Sequence, residues 1–102
     1  MSRKKRIRWQ RLAGLDLESA HAFLAEKNPS AARRFAADIL RAIERIGEHP
    51  EIGPVASDIV PHGRYRHLVC GHHRVIYRLD SEILWILRIW DSRRNPDDLV
   101  PE

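Results

Sequence analysis

The residue types best suited to chemistry are concentrated in the second half of the chain. Four histidines lie within twelve residues and have the potential to bind a metal or act as a general base; they are His62, His67, His72 and His73. No cysteine, aspartate or glutamate accompanies them at a spacing typical of a metal site. His72 and His73 fall at a predicted hairpin tip, where polar side chains are usual. We therefore expect neither a metal site nor a cofactor.

A second chemically capable group is basic and is interleaved with aromatic residues; it comprises Arg64, Tyr65, Arg66, Arg74, Tyr77 and Arg78. Six of the first eleven residues are also Lys or Arg. The net charge of +4 and the pI near 9.8 favour approach to an acidic protein or a nucleic acid. A solvated sheet face would have the same composition, so charge alone does not choose a partner.

Two interpretations are open for Arg74 and Arg94. Each pairs with a carboxylate, for which Asp80, Asp91 and the acidic residues of the helices are candidates, or each contacts a partner or target. Tryptophans belong more often to cores than to recognition surfaces. Trp90, which ends a predicted strand, is the one we expect to be partly exposed. Cys70 precedes a turn glycine and is expected to be inert.

The length and composition favour a folded, water-soluble domain. A chain of 102 residues has room for one core, so we expect one domain over residues 1–102. The longest apolar run, Ile83 to Leu87, is far shorter than the roughly 18 residues that span a bilayer. No apolar signal segment follows the basic N-terminus, and one cysteine cannot form an internal disulfide. These features predict a cytoplasmic protein without a membrane contact.

Helical periodicity is strongest in the middle of the chain, where the apolar positions are Ala32, Phe35, Ala36, Ile39, Leu40, Ile43 and Ile46. Asn28-Pro29 predicts the start of this helix, and Gly47 with Pro50 predicts its end. An earlier apolar stripe predicts a helix from about Leu15 to Lys27. Because only the Asn28-Pro29 corner separates the two helices, they should form an antiparallel hairpin.

Strand patterns flank the helices. Arg6 to Trp9 alternates with period two, and three further strands fit Tyr65 to Val69, Arg74 to Leu79 and Ile83 to Trp90. Short connections between the last three require an antiparallel meander. The last strand is apolar on both faces and should be central. The expected fold class is α+β, with the helix hairpin on one face of the sheet.

The expected core joins the second helix to the sheet. We expect Phe35, Ile39 and Ile43 to pack against four residues of the last two strands, Val75, Tyr77, Trp85 and Leu87.

Four local sequences, taken with this order of elements, are similar to a known family. They are Asn-Pro-Ser-Ala-Ala at 28–32, His-Pro-Glu-Ile-Gly at 49–53, Arg-Val-Ile-Tyr at 74–77, and Ile-Trp-Asp-Ser-Arg-Arg-Asn-Pro at 89–96. Together they resemble the RelE/ParE toxin superfamily over nearly the whole chain. The histidine that often precedes the final arginine pair in this family is replaced by Trp90 or Asp91.

The resemblance implies one of two activities. The ribonuclease branch cuts messenger RNA on the ribosome, using basic side chains on the scissile phosphate and a tail tyrosine for the proton. Arg74 and Arg94 match its arginines, but residues 95–102 hold no tyrosine and Leu68 is not basic. A ribonuclease here would have to use His72 or His73 instead. The chain looks more like the ParE branch, which poisons DNA gyrase and needs no catalytic residues of its own.

The resemblance also implies partners. A toxin of this kind is neutralised in a hetero-oligomer by a cognate antitoxin, whose segment we expect along the groove between the helix hairpin and the sheet. The candidate contacts for antitoxin or target are Arg64, Arg66, Arg74, Trp90, Arg93 and Arg94. A third hypothesis is a non-toxic nucleic-acid-binding module that uses the basic N-terminus. It predicts strong, salt-dependent binding to bare DNA or RNA.

Overall fold

The computed structural model describes residues 5–102, so Arg3 and Lys4 of the basic N-terminal run lie outside the described residues. The elements are β1 (Arg6–Trp9), α1 (Arg11–Lys27), α2 (Pro29–Glu48), β2 (Arg66–Cys70), β3 (His73–Leu79), β4 (Ile83–Asp91) and a short 3-10 helix (Pro96–Asp98). The α+β class and the order of elements are as predicted. Within residues 5–102, no helix combines the length and apolar character needed to cross a membrane.

The corner between the helices is built as the sequence predicts. The Asn28 side chain accepts a hydrogen bond from the backbone N–H of Ala31 at 3.1 Å, and Pro29 occupies the first turn of α2. The predicted start of α1 at Leu15 is wrong, because the helix begins at Arg11. The backbone N–H of Ala13 bonds to the carbonyl of Gln10, and Ala13 is fully buried, so packing stabilises an extra turn.

The four strands form one mixed sheet in the order β1-β4-β3-β2. The central position of β4 is confirmed, since it pairs with β1 on one side and β3 on the other. The last three strands form the predicted antiparallel meander. β1 runs parallel to β4, which requires a long crossover, and the helix hairpin helps to supply it.

A first core fills the space between the helices and the sheet. Ile39 and Ile43 of α2 are buried there with Val75 and Tyr77 of β3, and Phe35 packs against them, as predicted. From β1, the side chains of Ile7 and Trp9 also pack against this core; from β4, it includes Leu84, Ile86 and Ile89.

The predicted packing of Trp85 and Leu87 in the first core is wrong, because both contact a second core on the opposite face of the sheet. A strand that is apolar on both sides gives no local indication of which side faces the helices. The alternation also breaks within β4. Tyr77 pairs with Ile86 and Ile76 with Arg88, so that Leu87 is an extra residue in the ladder. This bulge is the reason that Ile86 and Ile89 face the same core.

The second core is covered by irregular structure rather than by helices. Its buried residues are Ala56, Ile59, Tyr65, Ile76, Leu87 and Trp90, with Trp85 and Leu99 packed against them. Ala56 and Ile59 come from the connection between α2 and β2, and Leu99 comes from the tail. Tyr77 ties this connection to the sheet, because its hydroxyl accepts from the N–H of Gly53 at 3.0 Å and donates to the carbonyl of Pro50 at 2.8 Å.

Candidate functional site

Arg74 is the second residue of β3, lies on the face of the second core and is held by two neighbours. Its terminal nitrogens donate to both carboxylate oxygens of Asp58 at 2.9 Å each. Its Nε donates to Nδ1 of His67 at 2.8 Å. The partner is therefore a carboxylate of the α2–β2 connection, and the predicted candidates Asp80 and Asp91 are wrong for Arg74. The Arg74 side chain is 12% exposed, so this geometry is held by packing as well as by charge.

The Arg74 network has a defined protonation state. Because Nδ1 of His67 accepts a hydrogen bond, the neutral ring carries its proton on Nε2. Burial lowers the pKa of His67, and the adjacent Arg74 charge lowers it further. The hydrogen bond from Arg74 lowers the pKa of Asp58. All three guanidinium nitrogens of Arg74 donate a hydrogen bond, and the paired carboxylate of Asp58 neutralises its charge, so Arg74 is poorly placed to hold a phosphate unless Asp58 releases it.

Glu102 organises a second cluster on the same face of the sheet. Its carboxylate accepts from Arg78 at 2.8 Å, from Arg64 at 3.3 Å and from the hydroxyl of Tyr65 at 2.8 Å. Burial alone would raise the pKa of Glu102, but the hydrogen bonds from Arg78 and Tyr65 lower it. Sequence reasoning missed Glu102, since nothing local places it beside residues of two other segments.

Arg66 donates its hydrogen bonds to backbone carbonyls rather than to a carboxylate. Its Nη1 donates to the carbonyl of Gly53 at 2.8 Å and to that of Glu51 at 3.4 Å. A side chain at position 53 would collide with the carbonyl of His67, so Gly53 permits this close approach of the connection to β2.

Trp90 is 2% exposed, and the expectation that it is partly exposed is wrong. Its ring packs in the second core and lies close to two guanidinium groups, with Cζ of Arg94 at 4.4 Å and Cζ of Arg88 at 5.2 Å from the ring centroid. Arg74 is the register partner of Trp90, so Arg74 and Arg94 lie near the same end of the sheet. Trp90 can therefore position Arg94, but it offers little surface of its own.

Arg93 and Arg94 differ in their neighbours although both are exposed. Arg93 forms a two-point pair with Asp91, with contacts of 3.0 and 2.9 Å, and this pairing lowers the pKa of Asp91 to about 2. Among residues 5–102, no carboxylate forms a salt bridge with Arg94. Arg94 is thus the candidate arginine with the most freedom to meet a ligand.

Arg94 and His73 line one polar depression of about 250 Å³, together with Asp16, Ser19, Ala20, Ile89 and Asp91. The His73 ring lies 4.8 Å from the ring of Phe35, and burial lowers its pKa. His72 is exposed at the hairpin tip, where its carbonyl accepts from the N–H of Ser92. The structure therefore brings His73 to Arg94, while Arg74 is occupied elsewhere.

Metal chemistry finds no support in the part of the chain that the structure describes. No cluster of three or more His, Cys, Asp or Glu side chains there has the geometry to hold a metal ion. Cys70 is half-buried, and burial raises the pKa of its thiol, which lowers its reactivity at neutral pH.

Comparison with known proteins identifies the family. A comparison with curated proteins finds no match. A solved structure described as the chromosomal ParDE TA system from P. aeruginosa matches 86% of this chain and 96% of its own, with a TM-score of 0.73. Because the identity is only 22%, this likeness concerns the fold. The family model of the ParE toxin of type II toxin–antitoxin systems matches residues 7–96. The chain therefore belongs to the ParE toxin family.

Proposed function

We propose that the chain is a cytoplasmic gyrase poison that is held inactive by a cognate antitoxin. The observation that carries the proposal is the state of Arg74, whose three guanidinium nitrogens all donate to Asp58 or His67. A phosphate-cleaving enzyme needs its cation free to meet the scissile group. A protein that acts by binding to gyrase needs only a complementary binding surface and no catalytic group.

The tail supports the same proposal. Residues 95–102 contain no tyrosine, and Glu102 is already bonded by Arg64, Tyr65 and Arg78. These contacts lower the pKa of Glu102, so this carboxyl is ionised near neutral pH and is a poor proton donor. The ribonuclease mechanism therefore lacks a proton-transfer group at the position where the family places one.

The test compares two purified targets. With gyrase and supercoiled plasmid, we expect the toxin to increase linearised DNA, and in cells to cause filamentation. On translating ribosomes, we expect primer extension to find intact messages. Codon-specific cuts made by the purified protein on ribosomes would overturn the gyrase assignment, whatever the plasmid assay shows.

Two substitutions separate a catalytic Arg74 from a structural one. Under the gyrase proposal, Arg74→Ala acts only through folding or partner contacts, so its toxicity should decline in step with its unfolding temperature. Asp58→Asn frees Arg74 without removing it and should give a similar loss. If Arg74 instead holds a scissile phosphate, Arg74→Ala should reduce cleavage by about 10²–10³, while Asp58→Asn leaves cleavage intact.

One observation favours the ribonuclease alternative. Arg94 has no carboxylate partner within residues 5–102 and shares its depression with His73, whose imidazole is of the type that carries protons in catalysis. If ribosomal cleavage occurs, Arg94→Ala and His73→Ala should each reduce it far more than their loss of stability accounts for. His72→Ala, at the exposed hairpin tip, is the matched control.

The proposed antitoxin would cover apolar side chains on the helices and the edge strand. Phe23 is 59% exposed on α1, Leu40 is 52% exposed on α2, and Val69 is 63% exposed on β2. Such surface favours a partner segment that folds as it binds. Alone, the chain should be poorly soluble, and with the product of a neighbouring small acidic reading frame it should elute as a complex.

Phe23→Ser tests this surface and should weaken the complex. Val60→Ser, on an exposed loop residue, is the control and should leave it intact. A fully soluble monomer that ignores the neighbouring protein would count against the pairing.

A further inference from the structure

The sheet face opposite the helices is only partly covered. The α2–β2 connection and the tail cover its centre, but β1 extends the sheet at the far edge. Ile7 and Trp9 of β1 pack in the first core, so the alternate residues Arg6 and Arg8 point to the opposite face. Both arginines are exposed.

A row of cation, aromatic and cation crosses this face. Arg8 is the register partner of Trp85 in β4, and Arg78 of β3 is the register partner of Trp85 on the other side. Register partners in a sheet place their side chains on the same face. The Arg78 Cζ lies 6.0 Å from the centre of the Trp85 ring, and the indole N–H donates to Asp80 at 3.4 Å. The indole is therefore oriented, and it is only half-buried.

The positive charge of this edge is not neutralised. Among residues 5–102, no carboxylate forms a salt bridge with Arg6 or Arg8, whereas Arg78 is paired with Glu102 and Asp80. Lys5 precedes them in the chain, and its Nζ donates to the backbone carbonyls of Asp80 and Ser81. The Cα atoms of two residues on the same side of a strand are about 6.6 Å apart, so the side chains of Arg6 and Arg8 start close together. The two like charges repel each other, and a polyanion would relieve that repulsion.

The combination of two unpaired arginines with an oriented indole ring favours one class of polyanion. Regularly spaced cations beside an oriented aromatic ring are the elements of single-strand recognition, in which phosphates meet the cations and a base stacks on the ring. An acidic peptide would satisfy the arginines but would have no use for the indole. We propose that Arg6, Arg8 and Trp85 form a binding site for a single strand of nucleic acid. This proposal does not rest on gyrase as the toxin's target.

The test is a fluorescence-anisotropy titration of the purified chain with labelled single-stranded DNA and RNA, in the absence of gyrase. Arg6→Gln with Arg8→Gln should weaken binding at least about tenfold at low salt. It should also reduce the slope of log K against log salt by about 1.4, because each phosphate neutralised on a single strand contributes about 0.7 to that slope. Trp85→Leu should weaken single-strand binding more than duplex binding, since only an unpaired base can stack.

The control is a second double variant with the same net charge as Arg6→Gln with Arg8→Gln. Arg33→Gln with Arg34→Gln removes two exposed arginines from α2 rather than from the sheet, and should leave the affinity nearly unchanged. If both double variants lost the same affinity for the oligonucleotide, the effect would come from net charge alone, and the proposed site would be overturned. Competition by polyglutamate at the same charge concentration as the oligonucleotide would also overturn it, in favour of an acidic protein. Circular dichroism of each variant checks that the fold is retained.

Discussion

At the scale of single residues, the chemistry of this toxin is governed by the partners that its arginines find. A guanidinium has five donors in one plane and is satisfied best by two or three acceptors at once. Arg74 has Asp58 and His67, and Arg78 has Glu102. An arginine so occupied stabilises the fold, whereas Arg8 and Arg94 form no salt bridge with a carboxylate of residues 5–102 and are free to meet a ligand.

The His67–Arg74 hydrogen bond should make the stability of the fold depend on pH. If His67 were protonated at Nδ1, its N–H would face the N–H of Arg74 Nε, and the hydrogen bond between them would be lost. Burial also lowers the pKa of His67 from its usual value of 6.5. A group whose pKa is lowered on folding contributes stability above its unfolded pKa and loses it as the pH falls towards its folded pKa. The toxin should therefore lose stability below pH 6.5.

His67→Gln keeps an acceptor for Arg74 but cannot titrate. Urea midpoints measured above and below pH 6.5 should change less in this variant than in the parent protein. His73, whose pKa is also lowered, contributes equally to both proteins and cancels in the comparison. Parallel pH profiles would show that His67 is not the group responsible.

At the scale of elements, α2 is stabilised chiefly by the face it buries. Local signals begin the helix at Asn28-Pro29, but most of the stability of a helix within a protein comes from the packing of its apolar face. Ile39 is fully buried in the first core, whereas its neighbour Leu40 is 52% exposed. One turn of the helix thus offers a buried and an exposed aliphatic residue for comparison.

Ile39→Ala should lower the free energy of unfolding by about 2–5 kcal/mol, because it removes buried methyl groups and leaves a cavity. Leu40→Ala should change it by about 0.5 kcal/mol or less. Chemical denaturation of both variants measures the difference. A decrease below about 1 kcal/mol for Ile39→Ala would mean that this face of α2 does not pack against the sheet.

At the scale of the whole molecule, Arg88 connects the two faces of the sheet. Its Nε and Nη2 donate to the carboxylate of Asp16 in α1 at 2.8 and 2.9 Å, and its Nη1 donates to the carbonyl of Val100 in the tail at 2.9 Å. Asp16 also accepts from the backbone N–H of Ile89 at 3.0 Å. One guanidinium at the bulge of β4 therefore joins the helix layer to the segment that covers the second core.

Asp16→Asn should be strongly destabilising, since it leaves the buried Arg88 charge without a counter-ion. We expect a decrease of about 3–5 kcal/mol in the free energy of unfolding. Asp38→Asn removes the carboxylate of the exposed Asp38–Arg41 pair on α2 and should cost about 1 kcal/mol or less. Thermal or urea unfolding compares the two variants. Similar small decreases in both would show that the Arg88–Asp16 pair contributes little to holding the layers together.

The sequence by itself determined the elements and their order. Asn28-Pro29 starts α2, apolar periodicity marks the buried face of that helix, and short connections impose the antiparallel meander. These signals are local: each depends on the conformational preferences of a few adjacent residues, which act before any distant contact forms. The family resemblance could be recognised from the sequence for the same reason: it consists of short local motifs in a fixed order.

Only the tertiary structure decided which side chains meet. The partners of Arg74, Arg78 and Arg88 lie 16, 24 and 72 residues away in the chain. The side of β4 that faces the helices, and the burial of Trp90, depend on the bulge at Leu87 and on the loop and tail that pack against the sheet. Strand periodicity defines two faces but does not orient them, and ion pairs follow proximity in space rather than in sequence.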